Sequence, residues 1–350
     1  MIQKVLAIET SCDDTSVAIV GDQGEVSSVV SANQDLAHKP FGGVVPEIAS
    51  RNHTLQLLPL VDVAFEKAGL GWDDIDGIVV TSRPGLLGSL LVGVVTAKGL
   101  AQSKGIPFLG INHLEAHLLA PFLRDSEYQP PEDFEFPYIA LAVSGGHSQI
   151  YMVEDHGKYK VLGRTIDDAA GEAFDKFAKL VKLGFPGGPL VDKLAIQGNA
   201  KAFKFPRPLL KEDHLNFSFS GLKTAALRQI ESMSEEEIEK QKADLAASFQ
   251  EAIVDCLLGK LKMAVDEHGV SRVVITGGVS ANSRLRGLGE KWAKEDGLQL
   301  VIPPIRYCTD NAAMVGYAGL IRMQKGETSP QSLQPLAQSL STDFISGDSR

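Results

Sequence analysis

Short apolar runs separated by small polar loops open the chain. Val5 to Ile8 has the length of a strand, the turn-prone Ser11-Cys12-Asp13-Asp14-Thr15-Ser16 follows, and Val17 to Val20 forms a second run. Gly21-Asp22-Gln23-Gly24 then turns the chain into Glu25 to Ser31. The pattern predicts a meander of three antiparallel strands. The same order returns at Tyr138 to Val143, Gln149 to Val153 and Lys158 to Arg164, interrupted by Ser144-Gly145-Gly146-His147-Ser148 and Glu154-Asp155-His156-Gly157. One unit is therefore present twice. In both copies a small polar loop separates the first two strands, so backbone NH groups can face one ligand from opposite sides. Duplicated lobes around a cleft are the expected architecture.

Between the copies, helix and strand alternate as in an α/β domain. Pro46 to Ala68 is predicted helical, with the proline where a first turn tolerates its missing donor. Ile75 to Val80 and Ile106 to Ile111 are predicted strands. The longest apolar run, Gly85 to Ala97, is too short and too broken by glycine to span a bilayer. It is expected to be a buried helix, and Gly88 to Lys104 is predicted as a glycine-bearing helix. Arg124 to Pro137, rich in acid and proline, marks a boundary. Beyond it, Asp167 to Lys182, Leu190 to Asn199, Ser234 to His268 and Asn311 to Lys325 are predicted helices, and Arg272 to Ile275 and Leu298 to Ile302 are predicted strands.

At 350 residues the chain exceeds what one core usually organises, so two domains are expected. Its 44 acidic and 34 basic residues give a net charge of -10, which argues against broad electrostatic binding of nucleic acid. Only a local patch would serve, and Lys201, Lys204, Arg207 and Lys211 form one basic run; a solvated face is the other reading. Cys12, Cys256 and Cys308 are odd in number and widely spaced, as suits reduced thiols in the cytoplasm. The N-terminus reaches Glu9 too early for a signal peptide.

The sharpest chemical signal is Asn112-His113-Leu114-Glu115-Ala116-His117 in a helix-forming run. Four residues advance a helix by about 400°, which puts both imidazoles on one face. They can share one metal ion or simply bond to nearby carbonyls. The zinc-protease mechanism needs Glu directly after the first His, and Leu114 is there. Asp310, in Cys308-Thr309-Asp310-Asn311, is either the N-cap of the last helix or a third ligand. Two histidines and a carboxylate with open positions make a Lewis-acid site. Glycine loops add a second theme: Ser144-Gly145-Gly146-His147-Ser148, Pro186-Gly187-Gly188-Pro189, and Gly277-Gly278-Val279-Ser280-Ala281-Asn282 after a strand. Neither the Walker lysine nor Gly-x-Gly-x-x-Gly is present. Asp175 either faces a ribose or pairs with Lys179.

With Glu9-Thr10-Ser11-Cys12-Asp13-Asp14-Thr15-Ser16, Gly42 to Glu47 and Asp167 to Lys176, these motifs resemble, in order and over about residues 3 to 325, the family of bacterial-type tRNA N6-adenosine threonylcarbamoyltransferases. The resemblance implies the actin-like ATPase fold with two duplicated lobes around a nucleotide cleft. It implies His113, His117 and Asp310 as metal ligands, for one divalent ion, iron(II) ahead of zinc. Ala142, Val143, Ser144, Gly145, Gly146, Asp175, Gly188, Asp192 and Asn282 match the family's substrate-binding positions. The implied reaction moves the threonylcarbamoyl group from threonylcarbamoyl-adenylate to N6 of the adenosine 3′ to the anticodon, in tRNAs reading codons that begin with A. Glu9, Asp13 and Asp14 are the candidate catalytic carboxylates, with no choice among them. Ser148, where many members carry Thr, keeps the hydroxyl. The implied partners are tRNA, a paralogous protein of the TsaB type and a small ATPase of the TsaE type, with no membrane. The alternative function is an ATP-dependent kinase or ATPase of the same fold. The expected division is an N-terminal lobe over 1–134 with the His-x-x-x-His helix, a C-terminal lobe over 135–307 with adenylate-binding loops, a metal-ligand loop and closing helix over 308–325, and a loosely ordered tail over 326–350.

Overall fold

The computed structural model describes residues 2–340 and 343–346, the last two by backbone alone. It divides into two units, Met1–Asp133 with Pro303–Asp343, and Phe134–Ile302 with Phe344–Arg350. The first unit opens with β1 (Lys4–Glu9), β2 (Thr15–Gly21) and β3 (Val26–Ala32), then α1 (Asp35–His38), α2 (Pro46–Ala68), β4 (Gly77–Arg83), α3 (Leu87–Lys104), β5 (Phe108–Asn112) and α4 (His113–Leu119). The second unit runs β6 (Tyr138–Val143), β7 (Ser148–Asp155), β8 (Lys158–Arg164), α5 (Ala170–Leu180), α6 (Gly187–Ala195), α7 (Ser220–Glu231), α8 (Glu235–His268), β9 (Arg272–Thr276), α9 (Ser283–Asp296) and β10 (Gln299–Val301). The chain returns to the first unit with α10 (Ile305–Cys308) and α11 (Ala312–Gln324), and β11 (Ile345–Ser346) lies in the second.

The two sheets have one topology. The first has the order β3-β2-β1-β4-β5, the second β8-β7-β6-β9-β10 with β11 added beside β8. In each, the first strand pairs antiparallel with the second and parallel with the fourth: Glu9 lies opposite Ser16 and Val143 opposite Ser148. The expected repeat is thus present, in the arrangement of the actin-like ATPase fold.

In the first sheet Leu6, Ile8, Val17, Ile19, Ile78 and Val80 join Leu57 and Val61 of α2 and Val94 and Ala97 of α3 in one core. Ala7, Val20 and Val79, one residue out of phase, meet Gly316 and Gly319 of α11. Side chains alternate across a strand, so helices cover both faces. The second core gathers Phe174, Phe177, Phe205, Phe217, Phe219 and Phe249, with the Phe177 and Phe249 rings stacked at 4.2 Å.

Two expectations change, and one helix is new. The helix from the Gly85 run is not wholly buried: Leu87, Leu91 and Val95, spaced one turn apart, are 55%, 50% and 56% exposed. The tail expected to be loose instead lies along the edge strand β5 up to residue 340, where Ser329 N donates to Phe108 O at 2.8 Å and Gly110 N to Ser329 Oγ at 3.0 Å. Leu333 packs against the first core. Helix α7 escapes the sequence reading because its cap is remote: Asp167 accepts from Phe219 N, Ser220 N and the Ser218 and Ser220 hydroxyls. Among the described residues, no helix is long and apolar enough to cross a membrane.

Candidate metal centre

Helix α4 begins directly after β5, and Asn112 at the junction caps it, accepting from Leu114 N at 2.8 Å. This turn delivers His113 and His117 into the buried interior of the first unit, 6% and 1% exposed, with ring centroids 4.7 Å apart. Asp310 arrives from the returning segment. Its Oδ1 lies 3.3 Å from His113 Nε2 and 3.2 Å from His117 Nε2. Asn311, not Asp310, caps α11 by accepting from Met314 N at 3.0 Å. The Asp310 carboxylate is thereby left to the histidines. Two imidazole nitrogens and a carboxylate oxygen can hold one divalent ion, and the donor atoms of the three residues lie within 4.8 Å of one another.

Glu9 completes the centre from β1. Its Oε2 lies 2.9 Å from His113 Nδ1 and 2.5 Å from the Thr81 hydroxyl, and Oε1 accepts from the Ser11 amide. A carboxylate on the far nitrogen fixes the ring's orientation and leaves Nε2 turned to the Asp310 side. Burial alone would raise the Glu9 and Asp310 pKa values, but His113 outweighs it and holds both low, Asp310 well below the carboxylate range. For His113, burial works against charge and the Asp310 and Glu9 carboxylates override it, raising the pKa well above the ordinary value. His117 is lowered, by burial and by the neighbouring His113 charge. Its Nδ1 has no partner among the described residues, so Asp310 and packing set this ring.

The candidate carboxylates separate. Glu9 is fully buried and bonded to His113, Ser11 and Thr81. Asp13 and Asp14 lie half-buried in the β1–β2 loop, and Asn33 Nδ2 donates to Asp14 Oδ1 at 3.0 Å. Burial raises Asp13, and burial with the charges of Asp310 and Asp13 raises Asp14 to about 7. Glu115, the one carboxylate of the histidine helix α4, bonds Arg322 at 2.9 Å. Peptide hydrolysis thus lacks its usual base on α4, where Leu114 follows the first histidine.

In the second unit the substrate candidates gather at the C-terminal end of the sheet's inner strands. The Ser144–Ser148 and Gly277–Asn282 loops follow the parallel neighbours β6 and β9, and so emerge side by side at their C-terminal ends. Gly277 has φ +88°, and a Cβ there would lie 2.3 Å from Val143 O, so only glycine fits. Gly145 and Gly146 are exposed, with open space where a Cβ would stand. Ala142 and Val143 bury their side chains in β6, leaving only main chain to meet a ligand. Ser148 Oγ accepts from Ala170 N at 2.9 Å, at the start of α5. Asp175 Oδ1 accepts from Gly187 N at 2.7 Å, tying α5 to the first turn of α6, which presents Gly188. Asp192 accepts from Ser283 N and Oγ, next to Asn282, which caps α9. The sequence reading missed Thr276, whose hydroxyl at the end of β9 is buried, like that of Ser280 in the loop, without a partner among the described residues. Of the basic run, Arg207 is paired with Asp255 at 2.8 Å, while Lys201, Lys204 and Lys211 are exposed.

Residues 25–317 match the family model TsaD: tRNA N6-adenosine threonylcarbamoyltransferase. The chain is 58% identical over 344 residues to the tRNA N6-adenosine threonylcarbamoyltransferase of Bdellovibrio bacteriovorus, covering 98% of this chain and all of that one. To the protein of that name from Geobacter sp. strain M21 it is 49% identical, covering 95% of each. Among solved structures it is similar to T. kodakarensis HypF, with a TM-score of 0.60 at 15% identity over 92% of this chain and 48% of that one. The Acidaminococcus fermentans (R)-2-hydroxyglutaryl-CoA dehydratase component A gives 0.53 at 15% identity, over 92% and 99%. These distant likenesses concern the fold alone. The kinase or ATPase alternative is not favoured by the sequence relatives. By its family model and its relatives over nearly the full length, the chain belongs to the tRNA N6-adenosine threonylcarbamoyltransferase family.

Proposed function

We propose that the protein transfers a threonylcarbamoyl group from threonylcarbamoyl-adenylate to N6 of the adenosine 3′ to the anticodon, in tRNAs reading codons that begin with A. The observation that carries the reading is the convergence of His113, His117 and Asp310 in a chain of this family. The ion they would hold, iron(II) ahead of zinc, supplies Lewis-acid stabilisation of the charge that develops on the transferred group.

The remaining roles fall to side chains and main chain. N6 attacks the carbamoyl carbon, the new C–N bond forms, the bond to the phosphate oxygen breaks and AMP leaves. Ser144, Gly145, Gly146, Gly188 and Asn282, with Ala142 and Val143 through their main chain, bind the adenylate, and Asp175 and Asp192 hold the loops that present it. Asp14, with a pKa near 7, is matched to accepting the proton that N6 loses. Positioning supplies much of the rate, because an exocyclic amine is a weak nucleophile.

The tRNA phosphates meet Lys201, Lys204 and Lys211, with Arg207 held back by Asp255. A paralogous TsaB-type protein docks on the exposed apolar residues of α2 and α3, among them Leu55 and Leu91, 73% and 50% exposed, and a small TsaE-type ATPase completes the system. Leu91→Glu should weaken that docking in a pull-down with the paralogue. The cytoplasm, where tRNA is modified, is the place of action. Incubation with labelled threonylcarbamoyl-adenylate, unmodified tRNA and the partner proteins should label the tRNA and release AMP; no label with every component present would reject the reading.

A further inference from the structure

Among the side chains that hold the loop carrying Asp13 and Asp14 from outside, His53 spans both of its ends. His53 projects from α2 and is fully buried. Its Nε2 lies 3.0 Å from the Cys12 carbonyl oxygen and its Nδ1 2.7 Å from the Thr15 hydroxyl. Cys12 and Thr15 are the residues immediately before and after the Asp13-Asp14 pair. The imidazole therefore grips both ends of the acidic turn, one end by main chain and the other by side chain. Gln56, three residues on and on the same helix face, extends the network with its Oε1 2.9 Å from the Thr15 hydroxyl. A bond to a carbonyl at one ring nitrogen and a hydroxyl at the other fixes the ring plane, and with it the path of the backbone between them.

We infer that His53 is a positioning residue of the transfer reaction. Its hydrogen bonds among the described residues go to Cys12 and Thr15 rather than to a metal ligand or substrate candidate, and it acts by fixing where the Asp13 and Asp14 carboxylates stand. The inference rests on the reading of that loop as part of the reacting site. A catalytic group displaced by about 1 Å can cost on the order of 100-fold in rate.

The test uses the full chain with its partner proteins and separates binding from turnover. His53→Phe fills the space and removes both bonds; Thr15→Val removes one of them and hardly changes volume, so it serves if the first variant folds poorly. The expected result is a kcat reduced at least tenfold in His53→Phe, with KM for the adenylate and the bound metal per chain within twofold of wild type. Thr15→Val should show a smaller fall in kcat, and His53→Gln, which can reach one partner, should recover part of it. An unchanged kcat in either folded variant would overturn the inference, as would a fall in kcat matched by loss of metal. Absence of transfer by the wild type under the same conditions would instead count against the proposed function.

Discussion

Glu9 and Asp310 show how much one carboxylate's surroundings decide. Both are anionic beside buried histidines, yet Asp310 keeps a partly exposed face, with 26% of its side chain accessible, while Glu9 has 1%. Glu9 is thus suited to orient a ligand and Asp310 to be one. Replacing Glu9 by Gln keeps the shape and removes the charge that anchors His113. Metal affinity should fall about tenfold or more, measured by competition with a chelator. Unchanged affinity would mean that packing alone orients the ring. The His-x-x-x-His spacing was legible in the sequence because a helix imposes it. The Glu9 contact was not, because 104 positions separate it from His113 and only the pairing of β1 with β4, and of β4 with β5, brings them together.

At the scale of elements, short helix α10 sets the approach to Asp310, and it is pinned by the chain near residue 125. Asp125 accepts from Arg306 at 2.8 Å, from the Tyr307 hydroxyl, and from Glu127 N and Tyr128 N at 2.7 and 2.8 Å. Partial burial raises this carboxyl, but the Tyr307 hydroxyl, the amides and Arg306 outweigh it and bring the pKa to about 2. The unfolded value is about 3.9. The folded value is the lower one, so the anion's contribution to stability is fully present above about pH 4 and is lost as pH falls through about 2. Asp125→Asn should therefore lower the urea midpoint at pH 5 more than at pH 2.5. An equal drop at both would contradict this account of the charge. The strands, α2, α8 and α11 could be read from hydrophobic periodicity, whereas α7 could not, since its start depends on Asp167 far back in the chain.

Across the whole molecule, the duplication was visible in the order of strands and loops, because each copy repeats the same apolar runs and turns. The return of Pro303–Asp343 to the first unit was not. A segment rich in Ser, Gln and Pro reads as loose by composition, yet its polar groups serve the open edge of β5, where backbone donors and acceptors need partners. Asn112 Nδ2 donates to Ser339 Oγ at 3.0 Å and to Asp343 Oδ2 at 2.9 Å, so this segment also steadies the residue that caps the histidine helix. Truncation after Gly326 should lower the melting temperature by at least about 3 °C. A melting curve identical to that of the full chain would show that the segment is not part of the folded unit.

Threonylcarbamoyl transfer is proposed to depend on an ion held by His113, His117 and Asp310. The most direct measurement of that dependence titrates chelator-stripped protein with iron(II), in the presence of purified partners, labelled threonylcarbamoyl-adenylate and unmodified tRNA. Transfer should rise in step with bound metal and level off at one ion per chain, while folded His113→Ala should bind little and transfer at least about 100-fold more slowly. Full transfer by stripped protein, or by His113→Ala without metal, would contradict it.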